Sequence, residues 1–123
     1  MNNQINIQGV KTFMGASRQL DKSGTPLLYR TLTSDKYHEF LIACVEQEDV
    51  AAFNSCLDLV WVAISYMHSR GWDISRGWAE IERSNLDKIC PETLSVRRRC
   101  DGKILPPDGW KPPDLNFILE KLK

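Results

Sequence analysis

The segment from Val50 to Ser69 constrains this chain more than any other. Phe53, Cys56, Leu57, Val60, Trp61 and Ile64 recur at the i, i+3, i+4, i+7 spacing of a single helix face. Arg70-Gly71 closes the segment, because glycine adopts the left-handed conformation after a helix at little cost. The pattern predicts a helix from about Val50 to Ser69 with Phe53, Cys56, Leu57, Val60, Trp61 and Ile64 packed inside. One acid, Asp58, interrupts the apolar run Leu57 to Ile64. A carboxylate there is costly to bury without a partner or a cation, so Asp58 is the first residue that asks for a chemical explanation.

The neighbouring segments also read as helices. Residues 10–20 predict a short first helix. Asp21 to Pro26 is a loop by its Gly24 and Pro26 among polar residues. Pro26 suits the first turn of a second helix that runs to about Gln47, with Leu28, Leu32, Phe40, Leu41, Cys44 and Val45 as its apolar residues. Glu48-Asp49 marks a short break or a helix N-terminus, where negative charge meets the dipole. Asp73 or Ser75 caps a fourth helix carrying Ile74, Trp78, Ile81 and Ile89, which ends before Pro91. From Pro91 the composition changes: Pro91, Pro106, Pro107, Pro112 and Pro113 predict an extended tail. A last short helix is expected from Asp114 to Leu122. No hairpin is expected, and the short connections imply antiparallel helix packing.

A chain of 123 residues predicts one domain able to bury its own core. Here the core spans about residues 10–90 and the tail about 91–123. Lysine plus arginine number 16, as do aspartate plus glutamate, so no global field draws the chain to nucleic acid or to an anionic membrane. The opening residues lack a basic region followed by an apolar run, and Leu57 to Ile64 is too short to span a bilayer. These features predict a cytoplasmic protein. Cys44, Cys56, Cys90 and Cys100 include no CxxC pair and only His38 and His68 could join them, which argues against structural zinc. Cys44 and Cys56, among apolar neighbours, are expected as buried, reduced thiols.

Three clusters carry candidate chemistry. Asp35 and Glu39 lie four residues apart and share a helix face. With Asp58 opposite, they could hold a cation. The competing reading is a salt bridge at the rim of the core, with Lys36 as its cation. In the second cluster, Arg83, Asn85 and Lys88 could donate to phosphate oxygens, or simply decorate a solvated helix face. The third is Arg97-Arg98-Arg99 with Lys103, which suits phosphate or nucleic acid but also an ordinary charged surface. Trp61, Trp72, Trp78 and Trp110 could stack on a base, although core packing is the expectation for Trp61 and Trp78.

The order of these pieces resembles a known family. A helix with acids is followed by a helix with aspartate, then GWD, ERSNLDKI and DGKILPPDGWKPPDL. This is similar to the MazG-like, phosphoribosyl-ATP pyrophosphohydrolase-like branch of the all-α nucleoside triphosphate pyrophosphohydrolases. The most specific part runs from Arg83 to Leu115, and the similarity covers about residues 10 to 115. The resemblance implies an all-α antiparallel helix bundle of that type with an extended proline-rich C-terminal tail. It also implies a homodimer or homotetramer, and a site at a helix-pair face. Small bacteriophage proteins are common in the family. Its enzymes split nucleotides between the α- and β-phosphates, using magnesium held by an ExxE and an ExxD pair.

Here two of those four acids are replaced. The first pair aligns with Lys36 and Glu39, the second with Ser55 and Asp58, while Asp35 matches an acidic position that often precedes the motif. The resemblance therefore implies Glu39, Asp58 and Asp35 as metal ligands. It implies Lys36, Asn85, Lys88, Arg98, Arg99 and Lys103 as phosphate contacts. An ammonium near a magnesium position repels the ion, so magnesium binding and hydrolysis are expected to be impaired or lost. Two alternatives stand beside this reading. One is an active hydrolase with a reduced Asp35, Glu39 and Asp58 site. The other is a phage protein that uses the fold as a scaffold to bind and inhibit a host protein. Neither a membrane nor nucleic acid is expected as partner.

Overall fold

The computed structural model describes residues 7–17 and 25–120. Among them are five helices: α1 (Ile7–Ala16), α2 (Thr25–Val45), α3 (Asp49–Ser69), α4 (Ile74–Leu86) and α5 (Asn116–Glu120). Two short strands, β1 (Arg97–Arg98) and β2 (Ile104–Leu105), pair antiparallel. The chain is thus mostly helical, as its periodicity predicts. Residues 18–20, the expected loop up to Gly24, and Leu122 lie outside the described residues. The structure divides into two compact units between Trp72 and Asp73, ahead of the composition change at Pro91.

The first unit is built on an α2–α3 hairpin. The residues of α2 that turn inward are Tyr29, Leu32, Lys36, Phe40 and Ala43, which recur every three or four positions. Tyr29 packs edge-on against Tyr66, with ring centroids 5.7 Å apart, and Tyr66 does the same to Trp72 at 5.6 Å. Ser55, Val62 and Ser65 on α3 are buried. Serine at the buried positions of α3 lets helices approach where larger residues would hold them apart. α1 contributes Val10 and Met14, both buried, and lays Phe13 edge-on against Trp61 at 5.8 Å.

The turn between α2 and α3 fixes their antiparallel course. Gln47 adopts φ +57°. Its amide donates to the Cys44 carbonyl (3.2 Å), and the Glu48 amide donates to the Ala43 carbonyl (3.0 Å). This is the Schellman closure, which satisfies carbonyls that a helix end leaves without partners. The end of α3 repeats it: Gly71 has φ +75°, its amide donates to the His68 carbonyl, and the Trp72 amide to the Met67 carbonyl. Glycine was the expected residue at the second turn, whereas glutamine occupies the first.

The second unit begins with α4. The Asp73 side chain caps it, accepting from the Arg76 amide at 3.1 Å. The helix ends at Leu86, short of the expected stop at Pro91, and the Trp110 indole N–H donates to the Ser84 carbonyl at 2.6 Å. That carbonyl belongs to the last turn, where no intrahelical amide is available. The β1–β2 hairpin corrects the expectation of no hairpin. The Arg99 amide donates to the Lys103 carbonyl (2.7 Å), the Gly102 amide to the Arg99 carbonyl (2.8 Å), and Gly102 sits at φ +92°. A three-residue loop ending on a left-handed glycine is a standard hairpin closure, and Asp101-Gly102 was its sequence signal.

Several burial expectations fail. Trp61 and Trp78 are 41% and 67% exposed instead of packed inside. Cys44 and Cys56 are exposed, not buried. Leu28, Leu41, Val45, Phe53, Leu57 and Val60 are also exposed, while Ile64 is buried. On α2 the reason is geometric, since the α3-facing stripe runs through Lys36 and Ala43 and leaves Leu41 and Val45 outside. On α3, Phe53, Leu57 and Val60 occupy the face turned away from the stripe of Ser55 and Val62.

Candidate functional site

The first unit brings three of the singled-out residues together. Lys36 on α2 faces α3, and its ammonium nitrogen lies 3.4 Å from Glu39 Oε2 and 3.3 Å from Asp58 Oδ2. Glu39 reaches it from the next turn of the same helix, three residues on. Asp58 reaches it across the hairpin, so this pair ties α2 to α3. Asp58 Oδ2 also accepts from Asn54 Nδ2 at 3.3 Å, one turn earlier on α3. Sequence reasoning passed over Asn54, although its position four residues before Asp58 was the available signal.

The cluster sits at the surface: the Lys36 side chain is 29% exposed, Asp58 37% and Glu39 53%. Two carboxylates around one ammonium leave a net charge of minus one. The Lys36 ammonium is held above its usual range, first by the hydrogen bond to Asp58 and its charge, then by Glu39. In chemical terms, two of the three acids that sequence reasoning offered to a metal, Glu39 and Asp58, already receive a hydrogen bond from Lys36.

The third expected metal ligand, Asp35, and Ser55, which stands where the family has an acid, lie elsewhere. Ser55 is only 3% exposed, so it lies inside the helix packing and not on an open surface. Asp35 is exposed on α2 and lines an open groove of about 1160 Å³ with Leu27, Tyr37, Leu59, Ala63 and Met67, a lining that includes neither Glu39 nor Asp58. Among the described residues, no group of three or more His, Cys, Asp or Glu side chains is gathered as a metal site would require. Tyr29 borders the same groove. Its hydroxyl is buried without a hydrogen-bond partner among the described residues, and burial pushes its pKa up.

The second unit holds the expected phosphate contacts. Asn85 Nδ2 donates to the Ile81 carbonyl (3.0 Å), and its oxygen accepts from Lys88 Nζ (3.3 Å). Lys88 also lies 5.0 Å above the Trp110 ring centroid, a cation–π contact that holds the ammonium at the surface. Arg98 Nη1 donates to the Gly102 carbonyl at 3.2 Å. Arg99 is committed to Asp101 through two nitrogens, and Asp101 also accepts from the Lys103 amide at 3.1 Å. These bonds hold the Asp101 carboxyl below its usual range, with Arg99 the main cause. Neither Lys88, Arg98 nor Lys103 makes an ion pair among the described residues.

Arg83, a further phosphate candidate, has a structural role instead. It bridges Glu80 (2.6 Å) and Asp87 (2.8 Å) on α4. It also donates to the carbonyls of Lys111 and Pro112 at 3.4 and 3.2 Å. Glu80 completes the tie by accepting from the Asp114 amide at 3.1 Å. Its carboxyl is held below the usual range by Arg83 first and by that amide second. The guanidinium fork matches several oxygens at once, and here those oxygens come from the chain itself.

The observations define a mostly helical chain whose candidate centre is a surface lysine between two carboxylates. No known family model matches the sequence, and comparison with curated proteins gives no match.

Proposed function

We propose that this protein is a MazG-like member of the all-α nucleoside triphosphate pyrophosphohydrolase type that binds a nucleotide or another phosphorylated small molecule and has lost the hydrolytic step. The observation that carries this reading is the Lys36 ammonium, 3.3 Å from Asp58 and 3.4 Å from Glu39. Two of the three acids that the family resemblance assigns to metal, Glu39 and Asp58, are satisfied by an internal cation, and the third, Asp35, lies apart from them. Hydrolysis of a phosphoanhydride at such a site depends on divalent metal to activate water and to offset developing charge. Hard divalent cations want several oxygen ligands at once, and two carboxylates around an ammonium do not suit a magnesium pair. Lys36 supplies one fixed positive charge in place of that pair and takes no part in activating water.

Binding in this reading rests on cations that carboxylates leave available. Lys88, Arg98 and Lys103 meet that condition, with Asn85 beside Lys88 as a neutral donor. Arg99 is the weakest of the set, since a ligand phosphate would have to compete with Asp101. The host-protein reading and a bacteriophage source remain attached to the resemblance alone, and no specific observation favours either over nucleotide binding.

The test is calorimetric titration with nucleoside triphosphates, with and without magnesium, alongside a pyrophosphate-release assay. The expected result is binding that does not need magnesium, is weakened in the Lys88→Ala and Lys103→Ala variants, and gives no pyrophosphate. Magnesium-dependent release of pyrophosphate that disappears in Asp58→Ala would replace this reading with that of an active hydrolase. Absence of binding to any phosphorylated compound would end the nucleotide reading altogether.

A further inference from the structure

The groove beside α2 plays no part in the nucleotide reading. Its volume of about 1160 Å³ is ample for a small organic molecule. Neither Lys36, Glu39 nor Asp58 lines it, so it is separate from the lysine cluster. One wall follows α2 through Tyr29, Thr33 and Tyr37, spaced four residues apart along one side of the helix. The floor follows α3 through Leu59, Ala63 and Met67 at the same spacing, with Tyr66 beside them. Ala63 is exposed in the middle of that line and presents only a methyl group, which leaves the floor open there. Arg30 and Asp35 also border the groove, both exposed and of opposite sign, so their charges cancel.

Tyr29 carries the observation that points to a ligand. The residue is only 3% exposed, and its hydroxyl is buried with no hydrogen-bond partner among the described residues. Buried polar groups are ordinarily hydrogen-bonded, and one left out asks for its missing partner. The edge-on contact with Tyr66, another lining residue, holds the Tyr29 ring in place. Burial pushes the hydroxyl pKa up, so near neutral pH it keeps its proton and donates. Side chains at a binding surface commonly change rotamer as a partner seats, which opens a path from the groove to this donor.

We propose that this groove binds an uncharged, flat aromatic molecule carrying a carbonyl group, with that carbonyl accepting the hydrogen bond of the Tyr29 hydroxyl. The aromatic body follows from the lining. Tyr37 and Tyr66 offer rings for edge-on or offset stacking, and the Met67 thioether makes favourable contacts with an aromatic edge. The lack of charge follows from Arg30 and Asp35, which together offer a charged ligand no net attraction. The carbonyl follows from the donor that has no acceptor. The inference does not rest on the nucleotide reading, whose cations Lys88, Arg98 and Lys103 belong to the second unit.

The test uses prodan, an uncharged naphthalene ketone whose emission moves to the blue in apolar surroundings. Titrated with the full chain, it is expected to show a saturable blue shift. Tyr29→Phe keeps the shape of the wall and removes only the donor, and is expected to weaken binding about tenfold. Ala63→Trp fills the floor and is expected to abolish the shift. Phe53→Ala, at an exposed α3 position outside the groove, is expected to leave the affinity unchanged. A further readout needs no variant: nuclear Overhauser contacts from prodan to the Ala63 and Met67 methyl groups are expected in the wild type. No saturable shift, an affinity indifferent to Tyr29→Phe, or contacts to Phe53 in place of Met67 would each overturn the proposal. Displacement of prodan by uridine at similar concentration would overturn it too, by making the groove the seat of a nucleotide base.

Discussion

Replacing Gln47 with glycine should make the protein more stable. Gln47 holds φ +57° at the turn joining α2 to α3, a left-handed conformation that costs an L-residue about 1–2 kcal/mol. Glycine removes that strain but brings a more flexible unfolded chain, which takes back about 0.5–1 kcal/mol. The net gain is about 0.5–1 kcal/mol, or roughly 2–6 °C in melting temperature for a chain of this size. Both hydrogen bonds of the turn, Gln47 to Cys44 and Glu48 to Ala43, involve backbone only and survive the change. The assay is urea unfolding followed by circular dichroism, read as a rise in midpoint at constant slope. Gln47→Val, β-branched and poorly suited to positive φ, should move the midpoint down by a similar or larger amount. A Gln47→Gly protein no more stable than wild type would show that the turn is unstrained.

Three further outcomes follow from the same structure. Lys36 titrates above its ordinary value of 10.5 in the folded chain, so its stabilising contribution is present below that pH and fades as pH rises through the elevated value. Alkaline unfolding curves of wild type and Lys36→Met should therefore converge above that range, and a constant difference would place the effect of Lys36 in packing instead of charge. Trp110→Phe removes the donor to the Ser84 carbonyl and should cost about 1–2 kcal/mol in chemical denaturation, with an unchanged midpoint counting against the capping role. Tyr29→Phe removes a buried hydroxyl that has no partner among the described residues; it should be neutral or stabilising by up to about 1 kcal/mol, and a clear loss of stability would reveal a partner for that oxygen.

The helices were legible because their signals are local. The 3.6-residue periodicity of α3, Gly71 at its end and Asp73 at the head of α4 are each read within a few positions. Burial was not legible in the same way. Leu41, Phe53 and Trp61 satisfy the spacing of an apolar face, but spacing does not say which of two faces meets a neighbour. α3 carries two usable faces, and the one with Ser55 and Val62 packs inward. The hairpin was missed because Asp101-Gly102 lies in a proline-rich stretch that reads as extended chain, and its ladder is only two residues long on each strand.

At the candidate site, the sequence identified Lys36, Glu39 and Asp58 and offered both a metal and a salt-bridge reading. The geometry brings those three together in the second arrangement. Asp35 and Ser55 parted from them for reasons of helix phase. Asp35 lines the groove beside α2, and Ser55 faces the buried side of α3. The role of Arg83 depended on carbonyls about thirty positions downstream, a distance at which spacing carries no information.

The indole of Trp110 reaches back 26 residues to finish α4, and this separates the two units in time as well as in sequence. The α2–α3 hairpin closes through a short turn, so its contacts can begin to form as soon as both helices exist. The Ser84 carbonyl in the last turn of α4 must wait for a loop of chain to be made and folded over before it finds its donor. During synthesis the first unit therefore has a head start, and until the segment holding Trp110 and the Arg83 ties arrives, α4 ends with its Ser84 carbonyl without that donor.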